Sequence, residues 1–139
     1  LLDLYSRRGV GWAIGPRLTG ELVEQALTMA LVNRIPRAGL VHHSDRGSQY
    51  AATSYQRRLT EYGLIPSMSR KGNCWDNACV ESFFGTLKRE LVHQRPYVTR
   101  DEAKQDIFEY IEVFYNRQRQ HSTLGYHAPV EFEARAAVA

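Results

Sequence analysis

The order of apolar and polar residues predicts short strands that alternate with longer helices. Residues 1–14 predict a strand hairpin with the polar stretch 6–9 as its turn. Apolar runs at 40–43 and 64–68 predict two short strands, and Pro66 favours a sheet edge or a bulge for the second. Helical spacing predicts four helices: one capped by Thr19, one over Thr53–Tyr62, one ending near Val92, and one opened by a capping box at Thr99–Glu102. A short closing helix is expected after Pro129. This alternation is typical of the α/β class.

Composition narrows the class of protein without defining a function. A chain of 139 residues that is 43% hydrophobic suits one globular domain. No apolar run is long enough to cross a bilayer, and no secretory leader is seen. The chain opens without methionine inside a predicted strand, so we expect a fragment. Its two cysteines, Cys74 and Cys79, are expected to be reduced, buried thiols of a cytosolic protein rather than zinc ligands.

The basic residues favour a polyanionic partner. The net charge is only +3, but 15 of the 18 basic residues are arginine. The planar guanidinium group binds phosphate oxygens in pairs, which suits nucleic acid. A GC-rich genome also favours arginine, so composition alone leaves both explanations open.

Asp45 is the first candidate for chemistry. It directly follows the strand predicted at 40–43 and its adjoining serine, at the edge where α/β sheets place functional side chains. The same position, shortly before Gly47, also suits an aspartate that only shapes a turn.

Glu81 is the second candidate. The third helix has a predicted apolar stripe of Val80, Phe84, Leu87 and Leu91, and Glu81 lies on its border. A carboxylate there can lean over the sheet edge toward Asp45, although a solvated glutamate fits the same pattern.

The spacing of these two acids, together with four segments, carries a resemblance. Asp45 and Glu81 are separated by 35 residues. The segments occur in order along nearly the whole chain: Leu2–Ala13, His43–Tyr50, Ser67–Lys88 and Tyr115–Pro129. Together they resemble the integrase-like catalytic core of DDE transposases of the bacterial insertion-sequence-three family, in which the second aspartate and the final glutamate have that same separation.

The resemblance implies an RNase H-like fold, a five-stranded mixed sheet flanked by helices, here truncated so that the first strand is missing. Residues 1–139 would be the catalytic core fragment, with 116–139 as the closing segment. Asp45 and Glu81 would be both catalytic residues and metal ligands for two Mg²⁺ ions, with Mn²⁺ as a substitute. The expected reaction is phosphoryl transfer on DNA, as strand cleavage followed by strand transfer.

One carboxylate of the family's three is expected to be absent. The first aspartate of the family lies on the first strand, and Asp3 matches a position on the second strand instead. We therefore expect the fragment alone to bind metal poorly and to be inactive. Two rival interpretations are a nuclease of the same fold and a non-catalytic DNA-binding or assembly remnant of a decayed transposase.

The resemblance also suggests DNA contacts. Lys88 lies seven residues after Glu81 on the same helical line, and Arg70 and Lys71 precede the glutamate helix. All three are predicted to bind DNA, as element ends or target, although solvated surface charges also fit the pattern. We expect a homo-oligomeric nucleoprotein complex in the bacterial cytoplasm.

Other side chains are predicted to be structural. Of His42 and His43, one should face the core and the other the opposite side of the sheet. Tyr110, Phe114 and Tyr115 are expected to be core residues.

Overall fold

The computed structural model of the chain describes residues 1–70 and 77–138. The chain divides into two compact units: the first contains Leu1 and Val10–Glu81, and the second contains Leu2–Gly9 and Ser82–Ala139. Strands and helices are both present, which confirms the α/β prediction. Whether 1–139 acts as one catalytic-core domain stays a prediction. Within the described ranges, no helix is both long and apolar enough to cross a membrane.

From residue 20 onward the elements follow the predicted order, except for a short helix at 48–51 that was not predicted. Those that lie in the first unit are α1 (Gly20–Asn33), β1 (Val41–Ser44), α2 (Ser48–Ala51), α3 (Thr53–Glu61) and β2 (Ile65–Met68). Helix α4 (Ala78–Leu87) begins in the first unit and ends in the second. The others are a π-helical turn (Lys88–Val92), α5 (Arg100–Glu109), a second π-helical turn (Tyr110–Tyr115), a 3₁₀ turn (Ser122–Leu124) and α6 (Pro129–Val138).

β1 and β2 run parallel, so their carboxyl ends meet at one edge. Val41 pairs with Ile65 at one end, and Ser44 pairs with Met68 at the other. Among the described residues the sheet has these two strands, fewer than the five that the resemblance implied. Pro66 lies in a strand with one described neighbour, which agrees with the predicted edge position.

The core of the first unit lies between α1, α3 and the sheet. Thr19 caps α1 as predicted, because its hydroxyl accepts a hydrogen bond from the Leu22 backbone N–H at 3.2 Å. Gly11 permits close packing on this helix, since a Cβ there would lie 2.2 Å from the Ala26 carbonyl oxygen. The buried residues of this core are Val23, Leu27, Leu31, Tyr55, Leu59 and Leu64.

The predicted hairpin at 1–14 is shorter than expected. In the second unit, Leu2 and Gly9 form a single antiparallel bridge. The predicted strand at 10–14 is wrong, because these residues have no strand structure. The turn is fixed locally: the Asp3 carboxylate accepts the backbone N–H groups of Tyr5 at 2.8 Å and Ser6 at 3.0 Å.

The aromatic residues of the fourth helix do not all enter the core. Tyr110 and Tyr115 are buried as predicted, but Phe114 is 40% exposed, so that prediction is wrong. A π-helical turn hydrogen-bonds residues five apart and therefore aligns Tyr110 with Tyr115. An ordinary helix would have aligned Tyr110 with Phe114 instead.

Candidate active site

Asp45 stands immediately beyond the carboxyl end of β1 and is exposed. Its Oδ1 accepts the Gly47 backbone N–H at 2.7 Å, which closes a tight turn. Asp45 therefore does shape a turn, which is the alternative role that its position in the sequence suited. This turn uses one carboxylate oxygen for a single bond, and it holds the side chain in a defined orientation at the sheet edge.

Gly47 lies close to this carboxylate. A Cβ at Gly47 would lie 2.9 Å from Asp45 Oδ1 and 3.0 Å from Gln49 Oε1, closer than normal contact. A larger residue at position 47 would therefore displace the ends of these two side chains. The pKa of the nearby Tyr50 hydroxyl is raised, mainly by burial and also by the negative charge of the Asp45 carboxylate.

Glu81 lies in the first turn of α4 and is exposed. The predicted apolar stripe around it is wrong at two positions, because Val80 is 40% and Phe84 is 50% exposed. Leu87 is buried as predicted, and the ring of Phe83, one position before Phe84, contacts the Tyr115 ring with 4.9 Å between centroids.

The two carboxylates belong to the same unit, but their convergence on shared metal stays a prediction. In the ranges 1–70 and 77–138, no group of three His, Cys, Asp or Glu side chains could hold an ion. Asp3 lies in the other unit, with a carboxylate oxygen bound to backbone N–H groups of its own turn. The chemistry of Asp45 and Glu81 nevertheless fits Mg²⁺, which takes one or two carboxylates and keeps several waters.

The two histidines before Asp45 have protein partners on opposite faces of β1, as predicted. His42 Nε2 lies 3.0 Å from the Tyr55 hydroxyl, and Tyr55 is a core residue. Burial lowers the pKa of His42. His43 Nδ1 lies 3.0 Å from Ser67 Oγ, and its Nε2 lies 3.1 Å from Ser69 Oγ. These contacts favour structural roles for both rings.

Two polar residues beside the site were missed by the sequence reasoning. Ser69 is buried, and its hydroxyl lies 3.1 Å from Oδ1 of Asn77, the residue before α4. Both belong to a segment that carried the resemblance, but nothing in their spacing indicated that they meet.

The structure describes two of the three residues that were predicted to bind DNA. Lys88 begins a π-helical turn and is exposed. Arg70 is exposed and also interacts within the chain. Lys71 lies outside the described residues. DNA binding by all three stays a prediction.

Comparison with known proteins defines the class of protein. Two family profiles, both described as the integrase core domain, match residues 1–74 and 81–136. The chain therefore belongs to the integrase core domain family. The fold agrees with this: a chain of the simian T-cell lymphotropic virus intasome, in complex with the PP2A regulatory subunit B56 gamma, superposes with a TM-score of 0.67. That match has 17% identity and covers 85% of this chain and 41% of the viral chain.

Similar curated proteins include insertion-sequence proteins of bacteria. The chain is 53% identical to the insertion element IS600 uncharacterized 31 kDa protein of Shigella sonnei, over 96% of this chain and 49% of that protein. It is 47% identical to the transposase for insertion sequence element IS904 of Lactococcus lactis, over 95% and 52%. It is 45% identical to the transposase InsF for IS3A of Escherichia coli, over 96% and 46%. The resemblance to the insertion-sequence-three family is confirmed, and the chain spans about half the length of these relatives.

Proposed function

We propose that this chain carries part of the catalytic site of a DNA transposase that cleaves and joins DNA strands. The observation that carries the proposal is the identity of 45 to 53% to insertion-sequence proteins over nearly the whole chain. The position of Asp45 beyond the end of β1 and that of Glu81 in the first turn of α4 support it.

Each proposed residue has a defined task. Asp45 and Glu81 offer the hard oxygen ligands that Mg²⁺ or Mn²⁺ requires. Bound divalent ions would supply activation of the attacking oxygen and charge stabilisation at the leaving oxygen. Lys88, Arg70 and Lys71 would neutralise phosphates and hold the strand in register. Water attacks phosphorus first and frees a 3′-OH end, which then attacks target DNA.

The chain alone is proposed to be inactive. Two carboxylates are fewer than the three that the family uses, and the described residues offer no group of three possible ligands. The 139-residue chain should therefore give no Mg²⁺- or Mn²⁺-dependent strand transfer. Robust nicking by this chain that Asp45→Asn removes would contradict this proposal.

The test of the catalytic residues uses the longer transposase that contains this chain, with a labelled duplex of the element end. Asp45→Asn and Glu81→Gln should each abolish cleavage while DNA binding persists, because both remove a negative oxygen ligand. Asp3→Asn is the matched control: it keeps the oxygen that accepts the turn N–H groups, so cleavage should persist. Full cleavage by Asp45→Asn would refute the assignment.

A second candidate is a non-catalytic DNA-binding or assembly remnant. It is favoured by the absence, in the described part of the chain, of any group of three side chains that could hold a metal ion with Asp45 and Glu81 among them. It predicts DNA binding that Asp45→Asn leaves unchanged, together with no cleavage by any longer form.

A further inference from the structure

Polar side chains form a connected cluster near the carboxyl ends of β1 and β2. We call His43, Ser67, Ser69 and Asn77 the Ser69 cluster. The Ser69 hydroxyl lies 3.1 Å from His43 Nε2 and 3.1 Å from Asn77 Oδ1. His43 Nδ1 lies 3.0 Å from Ser67 Oγ. All four residues belong to the first unit.

The backbone of Ser69 is held by both neighbours of Asp45. Its N–H donates to the Ser44 carbonyl oxygen at 2.8 Å, and its own carbonyl accepts from Arg46 Nε at 2.7 Å. Ser69 is only 5% exposed, so these bonds compete little with water. Its position is therefore fixed relative to the strand end that bears Asp45.

The other end of the cluster reaches the helix that bears Glu81. Asn77 directly precedes α4 and stands four residues, or about one helical turn, before Glu81. The hydrogen bond from Ser69 to Asn77 thus joins the strand that leads to Asp45 with the start of the glutamate helix.

The number of protons in the cluster limits which atom can donate in each hydrogen bond. A serine hydroxyl has one proton, and the Ser44 carbonyl oxygen, 3.2 Å away, competes with Asn77 for it. If His43 donates from Nε2 to the Ser69 oxygen, the Ser69 proton stays available for these acceptors. In that tautomer His43 Nδ1 accepts from the Ser67 hydroxyl.

From this geometry we infer that the Ser69 cluster positions Glu81 relative to Asp45, with Ser69 and Asn77 as positioning residues and His43 as their support. The inference rests on the proposed function, because it concerns the two proposed catalytic acids. Misplacement of a reacting group by about 1 Å can cost roughly 100-fold in rate, so loss of one bond here should affect catalysis.

The first test uses the chain itself and no metal. Ser69→Ala should accelerate amide hydrogen exchange in residues 78–84 roughly tenfold, because the start of α4 loses its tie to β1. Ser69→Thr keeps the hydroxyl and should restore protection. Tyr55→Phe is the matched control: it removes a hydrogen bond of similar length on the other face of β1 and should leave α4 unchanged. Equal exchange in all variants would overturn the inference.

The second test measures cleavage in the longer transposase. Ser69→Ala and Asn77→Ala should lower the cleavage rate roughly tenfold or more with DNA affinity unchanged, and Ser69→Thr should recover it. Asn77→Ala also serves if Ser69→Ala fails to fold. The Asp45→Asn variant distinguishes the positioning role of the Ser69 cluster from the proposed function. If it abolishes cleavage while Ser69→Ala and Asn77→Ala do not reduce it, the positioning role is wrong; if Asp45→Asn itself cleaves, the proposed function is wrong.

Discussion

At the scale of single residues, Asn116 shows how one side chain can replace a strand partner. It is 2% exposed, and its Oδ1 accepts the Gly9 N–H while its Nδ2 donates to the Gly9 carbonyl, both at 2.9 Å. Asn116→Ala should lower the free energy of unfolding by about 2 kcal/mol, because two backbone groups lose their partner. Denaturant unfolding of the chain measures this.

The control for Asn116 is another asparagine. Asn33 is exposed and makes a single 3.3 Å bond to the Val10 carbonyl, so Asn33→Ala should change stability by less than about 0.5 kcal/mol. Asn116→Asp should still destabilise, since a carboxylate cannot donate to the Gly9 carbonyl. An Asn116→Ala protein as stable as Asn33→Ala would show that this pairing adds nothing.

Residue roles were predictable from the sequence only where they are local. The Asp45 turn and the Thr19 cap follow from neighbours two or three positions away. Asn116 and Gly9 are separated by 107 positions, and no periodic pattern records such a contact. For the same reason, the role of Ser69 could not be inferred before its neighbours in space were known.

At the scale of elements, the two π-helical turns are joined by Glu90. Arg119 donates to its carboxylate from Nε at 2.9 Å and from Nη2 at 2.8 Å, and the Tyr110 hydroxyl donates at 2.6 Å. The hydrogen bonds from Arg119 first, and also that from Tyr110, lower the pKa of Glu90 against the opposing effect of burial.

This lowered pKa predicts a pH-dependent stability. The contribution of Glu90 is complete above its unfolded pKa, near 4.5, and is lost as pH falls through the lower folded value. Glu90→Gln should therefore cost about 1 kcal/mol at neutral pH and progressively less in acid. Urea unfolding across that range measures the difference. A Glu90→Gln deficit that stays constant across this pH range would contradict the predicted dependence.

Element types were predictable, whereas the buried faces of two helices were not. Helical caps and apolar runs gave α1, β1, α3 and β2 close to their observed bounds. The Thr99 hydroxyl accepts the Glu102 N–H at 3.1 Å, as the capping box requires. The prediction that Phe114 is buried is wrong because a π-helical turn changes the residue spacing, whereas sequence periodicity assumes an uninterrupted helix.

At the scale of the whole molecule, a net charge of +3 is too small to explain strong DNA binding by itself, so placement must matter. Lys88 and Lys104 test this cleanly, since both are exposed lysines near or within helices and either alanine variant lowers the net charge equally. Lys88→Ala should weaken binding to element-end DNA and reduce the salt slope of log Kobs by about 0.9, the value for one phosphate contact. Lys104→Ala should change neither quantity. If both variants bind DNA alike across a salt titration, net charge alone governs the affinity, and the assignment of Lys88 as a DNA contact is wrong.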